Sequence, residues 1–359
     1  MTIKKAIIVA TLVAIIGTAA PTSAAEPVHI TYGYHPYWTG GWNGVVIKHK
    51  ELWKKHLPPG STVRFEPHLT GPPMINAMLA NKMQIGTMGD MPSLVATTKR
   101  DIADLRLVSV PMYSSGQHCT KILVRKEAPN FKDYKEAMTW LNGKPFAVHR
   151  GTCPNRAIEA MIAKGAFKPS ELVYTAIEVI ASNFESGKLD AAAMWEPHAR
   201  RVVELGHARY ASTSAPWGEA DANFSLMRQD FIEKNPEAAT GWIKAEIEAL
   251  KFMLEKPNEM AQLIVDEVKG YNHKTAWKAL YEGLPDAFGG TAEVYVAKMV
   301  FDDQVQKVMK EGYVFLQQLK VIKESDIPKN PFNDVPLKKA LAEMKTTAPI
   351  GTIMRSLPK

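Results

Sequence analysis

Two cysteines in 359 residues are too few for a disulfide-scaffold fold or a multi-cysteine zinc site. No charge of one sign dominates: 44 Lys+Arg stand against 37 Asp+Glu, and the surplus of seven positives is spread along the chain. The densest basic segment, residues 48–55, puts its lysines on the polar face of an amphipathic helix, a solvated face rather than a nucleic-acid patch. No nucleic-acid partner is therefore expected. After residue 16 no apolar run approaches the eighteen residues a membrane helix needs, so the mature chain should be soluble. Phosphate-loop, dinucleotide-fingerprint, nucleophile-elbow and H-E-x-x-H motifs are all missing. The ten histidines show no ligand-like spacing, so neither a metal nor a cofactor is expected. His149 and Cys153, four apart, invite a base–nucleophile reading, but no third group orients them, and a strand end leading into a helix explains them better. No catalytic residue is assigned. With 46% hydrophobic and 23% charged residues, disorder, collagen and coiled coil are excluded.

What is present begins with a leader. Lys4 and Lys5 precede an apolar run at residues 6–16, too short to span a bilayer, and Thr22-Ser23-Ala24-Ala25 offers small residues for cleavage before Glu26. Residues 1–25 read as a secretory signal, and no cysteine near the cut indicates a lipid anchor. Cleavage leaves 334 residues and lowers the charge from +7 to +5. The destination is oxidising, a setting in which two cysteines can pair.

Strand and helix patterns alternate along the mature chain. Strands are expected at residues 29–34, 61–69, 84–89 and 105–111, with helices at 42–56 and 74–80, which argues for a parallel α/β sheet. The alternation restarts with strands at 121–126, 145–150, 172–177, 191–195 and 208–213, and helices at 133–141 and from 153 to Gly165. From residue 230 onward helical spacing prevails, at 246–254, 259–268 and 291–311, with a partly helical, proline-rich end at 329–359. Crossovers near 114–117 and 216–223 suggest two lobes: residues 26–114 begin lobe one, 115–216 form lobe two, and 217–359 return to lobe one with C-terminal helices.

The strand-to-helix junctions are rich in glycine, small hydroxyls and aromatics. They include Tyr34-His35-Pro36-Tyr37-Trp38-Thr39-Gly40-Gly41, Thr70-Gly71-Pro72-Pro73, Gly89-Asp90-Met91-Pro92, Gly151-Thr152-Cys153 and Trp195-Glu196-Pro197. Such junctions gather at the carboxyl edge of a parallel sheet, where ligands bind. Helix starts there offer free N–H groups to an anion. Tyr37, Trp38, Trp195 and Trp217 could wall the site or cage a cation.

The order of these pieces resembles a periplasmic substrate-binding protein of an ABC importer, in the nitrate/sulfonate/taurine family. The matching stretches are Gly71-Pro72-Pro73 with Ala77-Met78-Leu79-Ala80, Gln84-Ile85-Gly86, Gly89-Asp90-Met91-Pro92, Leu141-Asn142-Gly143-Lys144, Lys188-Leu189-Asp190-Ala191, Met194-Trp195-Glu196-Pro197 and Asp230-Phe231-Ile232. They cover the mature chain to about Gly270, and residues after Leu284 have no clear counterpart. The resemblance implies a type II two-lobed α/β fold that closes over one small solute and hands it to an inner-membrane permease. It implies a non-enzymatic monomer in the periplasm. By position it implies ligand contacts from His35, Tyr37, Trp38, Thr70, Gly71, Asp90, Ser115, Gly116, Thr152, Trp195 and Glu196, with Trp217 as a further aromatic wall.

The resemblance does not name the solute. Asp90 and Glu196 appear as two carboxylates facing the cleft, and Arg150 is the one arginine at these junctions. That balance favours a ligand with a cationic end, such as an aminosulfonate or a small amine- or guanidine-like cation. A plain sulfonate and nitrate are the alternatives, and local capping of the next helix is the competing role for both acids. An exported enzyme on the same fold is the rival class, although the cysteine-rich motif of a related enzyme group is missing. Cys119 and Cys153 would approach each other through antiparallel pairing of their strands, as a disulfide or as two buried thiols.

Overall fold

The computed structural model describes residues 25–357, so the leader lies, apart from Ala25, outside the described residues. Twelve strands form two sheets in these residues. They are β1 (His29–Tyr34), β2 (Thr62–Pro67), β3 (Ile85–Gly89), β4 (Leu105–Ser114), β5 (Lys121–Arg125), β6 (Pro145–Val148), β7 (Glu171–Tyr174), β8 (Ala191–Met194), β9 (Ala208–Thr213), β10 (Asp221–Arg228), β11 (Glu293–Ala297) and β12 (Gly351–Met354). The first sheet runs β12-β11-β4-β10-β3-β1-β2 and the second β7-β6-β8-β5-β9. Strands from both ends of the chain thus build one lobe, and residues 121–213 supply the sheet of the other. The chain passes between the sheets at residues 115–120 and 214–220.

The first sheet is mixed rather than parallel. β1 pairs parallel with β2 and β3, but β10 runs antiparallel between β3 and β4. β10 sits where a crossover was expected. Seven of its eight residues are buried, so the alternation that marks a half-exposed strand is missing from its sequence. The expected helix at 291–311 is likewise split. Residues Glu293–Ala297 form β11, paired with β12 and β4, and only Asp303–Gln318 is helical. The β-forming run Val294-Tyr295-Val296 outweighs the helical spacing of its apolar neighbours.

The expected helix at 42–56 breaks into Trp42–His49 and Leu52–His56, with Glu51 left-handed at φ 50°. The break presses the second piece onto helix Pro236–Glu255. A Cβ on Gly241 would meet the His56 carbonyl oxygen at 2.3 Å, so only glycine allows that approach. The strand expected at 172–177 stops at Tyr174, and Ile177 opens helix Ile177–Glu185.

In each lobe the carboxyl ends of the parallel strands face the other lobe. β1, β2 and β3 lead into residues 35–41, 68–71 and 90, while β6 and β8 lead into residues 149–153 and 195–197. The junctions singled out in the sequence therefore meet across one cleft. The lobes also touch behind it, where Arg200 of helix His198–Glu204 pairs with Glu282 at 2.8 Å, both buried.

Candidate functional site

A cavity of about 400 Å³ lies in the cleft. His35, Trp38, Thr70, Gly71, Asp90, Thr152 and Trp195 are brought together in its wall, as are Cys119 and Cys153. Five other candidates stand outside that wall. Tyr37 is half-buried beside it. Trp217 packs its ring edge-on against Tyr134, with centroids 5.4 Å apart, on lobe two. Ser115 and Gly116 belong to the crossing between lobes. There the N–H and hydroxyl of Ser214 both donate to the Gly116 carbonyl, and Gly116 at φ 112° has room for no side chain, since a Cβ would meet the Glu219 carbonyl oxygen at 2.6 Å.

Glu196 is the fifth. Its Oε2 accepts the Arg200 N–H at 2.9 Å and its Oε1 accepts the Tyr210 hydroxyl at 2.7 Å. This carboxylate caps its own helix, and its backbone carbonyl accepts the Thr39 N–H across the cleft at 3.1 Å. Asp90, in the wall, is fully buried, and only one of its two oxygens is hydrogen-bonded by the protein. Oδ1 accepts the Met91 N–H at 2.8 Å, and Oδ2 lies 3.9 Å from the Arg156 guanidinium of the other lobe. Burial pushes its carboxyl up to about 6 against the pull of Arg156. Asp221 behind it is pushed up to about 8, by burial first and by the Asp90 charge second. The cleft thus offers no open pair of carboxylates to a cation.

Three helices start at the cavity: Gly71–Leu79, Asp90–Thr97 and Cys153–Ala163. Their positive ends favour an anion. Proline at 72, 73, 92 and 154 strips N–H donors from all three first turns, so anion binding rests on few backbone groups, chiefly those of Gly71 and Cys153. Thr70 caps its helix without a side-chain bond and keeps its hydroxyl free for a ligand, whereas Thr152 accepts the Asn155 N–H at 3.5 Å and donates to the His149 carbonyl at 2.6 Å. Fixed positive charge comes from Lys99 and Arg150 at the rim. The histidines add none: burial pulls His35 down to about 4 while it bonds the His68 carbonyl at 2.9 Å, and burial also lowers His149.

Trp38 and Trp195 are both buried to 7% exposure, the first on His35 and the second edge-on to His149 and His198. Much of the rest of the wall is aliphatic, with Asn76 and Lys99 beside it, and was not anticipated. Ile75 and Leu79 are four apart on one helix face, a stripe that helical periodicity could have flagged, and Val95 and Lys99 are four apart at and just past the end of helix Asp90–Thr97. Leu316 and Val321 come from far along the chain, and no local pattern points to them.

Cys119 and Cys153 stand opposed as a disulfide with Cα atoms 6.5 Å apart. Their strands do not pair directly, because β8 lies between β5 and β6, but the start of β5 and the end of β6 share the cleft edge. A thiol assay on unreduced, denatured protein is expected to find no free thiol; two would mean buried thiols instead. Closing a loop over a sequence separation of 34 should contribute about 3–4 kcal/mol to stability, read as the loss on replacing both by serine.

Comparison with known proteins adds the following. A model of the NMT1-like family matches residues 23–266. The taurine-binding periplasmic protein of Escherichia coli K12 is 24% identical over 202 residues, 55% of this chain and 60% of that relative, so the match spans less than two thirds of its length. A putative aliphatic sulfonates-binding protein of Bacillus subtilis 168 is 22% identical over 286 residues, 79% of this chain and 80% of the relative. Among solved structures, the periplasmic aliphatic sulphonate binding protein SsuA from E. coli superposes with a TM-score of 0.68 at 20% identity, covering 86% of this chain and 93% of that one. The periplasmic nitrate-binding protein NrtA from Synechocystis reaches 0.59 at 15% identity, covering 86% and 93%. At these identities the structural likeness establishes the fold, the two-lobed α/β architecture of periplasmic binding proteins.

Proposed function

The chain belongs to the NMT1-like family, and from that premise we propose that it is the solute-binding component of an ABC import system, taking an organic sulfonate into its cleft and delivering it to a membrane permease. The observation that carries this reading is the cavity between the lobes, lined by three helix starts, two tryptophans, a largely aliphatic wall and the cations Lys99 and Arg150. Helix starts and Arg150 suit the sulfonate; tryptophan and aliphatic side chains suit an organic body. The names of the taurine- and sulfonate-binding relatives support the same class. The volume is generous for nitrate, and the engagement of both Glu196 oxygens, with Arg156 facing Asp90, weighs against a bare cation.

In this reading the chain is exported by its leader, works as a monomer without catalysis, and closes by rotation of lobe two (residues 115–216) about the crossings at 115–120 and 214–220. Arg156, reaching from lobe two to Asp90 and Glu311 of lobe one, is part of the closed contact.

A thermal-shift screen of the mature chain against taurine, butanesulfonate, nitrate and a small amine tests the reading. Sulfonates should raise the melting temperature, with a stabilisation of about 2.7 kcal/mol at a hundredfold excess over Kd, and without turnover. Stabilisation by the amine alone would overturn the reading. In the Asp90→Asn variant, taurine and butanesulfonate should weaken or strengthen together. A selective loss of taurine of about tenfold or more, the size of one charged hydrogen bond, would make Asp90 an amine-binding carboxylate after all.

A further inference from the structure

The cavity has two unlike ends. One carries the helix starts, Thr70 and the two tryptophans. The other is bounded mainly by the aliphatic side chains of Ile75, Leu79, Val95, Leu316 and Val321, with Asn76 and Lys99 as its polar members. Ile75 and Leu316 are almost fully buried, whereas Val321 is 44% exposed, so the apolar end runs outward to a mouth on the surface.

The far side of this arm comes from outside the family-matched span. Leu316 lies in helix Asp303–Gln318 and Val321 just beyond it, well past residue 266 where that match ends. The helix is held tightly against Asp90–Thr97. A Cβ on Gly312 would meet Leu94 Cδ1 at 2.4 Å, and the Tyr313 and Thr97 hydroxyls bond at 2.7 Å. Helix Asp90–Thr97 also begins at the cavity's polar end, so one rigid element joins the head-group region to the apolar wall. Aliphatic groups lining a solvent-reaching channel gain free energy only when something apolar replaces water there.

We infer that this arm receives the hydrocarbon tail of the solute, and that Leu316 and Val321 set how strongly tail length is favoured. The inference rests on the sulfonate reading for the head group but not for the tail. The preferred solute is an amphiphilic organic anion whose chain extends past the tryptophans toward Val321, not a two-carbon compound that fills only the polar end. Val321 at the rim and Leu316 in the wall are specificity-determining residues contributed by the C-terminal part of this chain.

The test is calorimetric titration of the mature protein with n-alkanesulfonates from methane- to octanesulfonate, beside an n-alkanecarboxylate series. Wild-type affinity is expected to rise about two- to fourfold per methylene until the arm is full. Leu316→Ala, and separately the exposed substitution Val321→Gln, should flatten that rise for the longer members and leave methane- and ethanesulfonate unchanged. Equal affinity for ethane- and octanesulfonate in the wild type, or an unaltered rise in both variants, overturns the inference. If carboxylates show the length dependence while every sulfonate is silent, the arm stands and the head-group reading falls.

Discussion

Arg156→Met is expected to cost about 3 kcal/mol of folding free energy, measured by urea denaturation at pH 7, because it leaves a buried charge without its partner. Arg156 is 3% exposed and Asp90 fully buried. Its Nη1 bonds Glu219 Oε2 at 2.9 Å, its Nη2 donates to the Ala220 carbonyl, and it faces Asp90 at 3.9 Å. Glu219 keeps Lys164 at 2.6 Å, so the loss falls mainly on Asp90. The loss should also depend on pH. Asp90 has a folded pKa of about 6 against an ordinary 3.8, so its burial already costs stability as pH rises through that window. Without Arg156 the folded pKa climbs further and the penalty extends to higher pH. The variant should therefore lie closer to wild type at pH 5 than at pH 8. A penalty below about 1 kcal/mol at both pH values would show that the guanidinium does not compensate Asp90.

Glu246→Gln should act in the opposite direction. Glu246 is fully buried in lobe one among Ser109, Ser225 and Asn43, each of which hydrogen-bonds its carboxyl. Burial dominates those bonds and pushes it from 4.5 up to about 7. The folded state thus holds the proton more tightly than the unfolded chain. Below pH 4.5 both states are protonated and no penalty exists. Between 4.5 and 7 the penalty grows, and above 7 it is complete, at about 3 kcal/mol. Glutamine carries no charge to bury. The stability difference between Glu246→Gln and wild type should therefore shift in favour of the variant by about 3 kcal/mol between pH 4.5 and 8. A difference that stays constant across that range would contradict the assignment.

Much of the fold was legible because local pattern and tertiary role agree. The strands at His29–Tyr34 and Ala208–Thr213 begin and end where the sequence places them. β10 was hidden because burial on both faces erases its alternation, and the break at Glu51 because the packing it permits, against Gly241, lies 190 residues away. The same division runs through the site. Glycine and tryptophan at strand ends pointed to His35, Trp38, Gly71, Thr152 and Trp195, since such residues at a carboxyl edge have few other reasons to cluster. Carboxylates carry no such signature. An acid at a helix start serves its own N–H groups as readily as a ligand, and Glu196 and Asp90 both do so. Leu316 and Val321 reach the cavity through helix packing alone, which no single stretch of sequence encodes.

The central claim, that a sulfonate-bearing solute occupies the cavity between the lobes, is tested most directly through the indole N–H resonances of the eight tryptophans. Titration of the 15N-labelled mature chain with butanesulfonate should shift the signals of Trp38 and Trp195, which line the cavity, and leave Trp42 and Trp242, fully buried in the core, where they are. Saturable movement confined to Trp38 and Trp195 is the predicted result. No movement at millimolar ligand, or movement at Trp140 and Trp217 in its place, would contradict it.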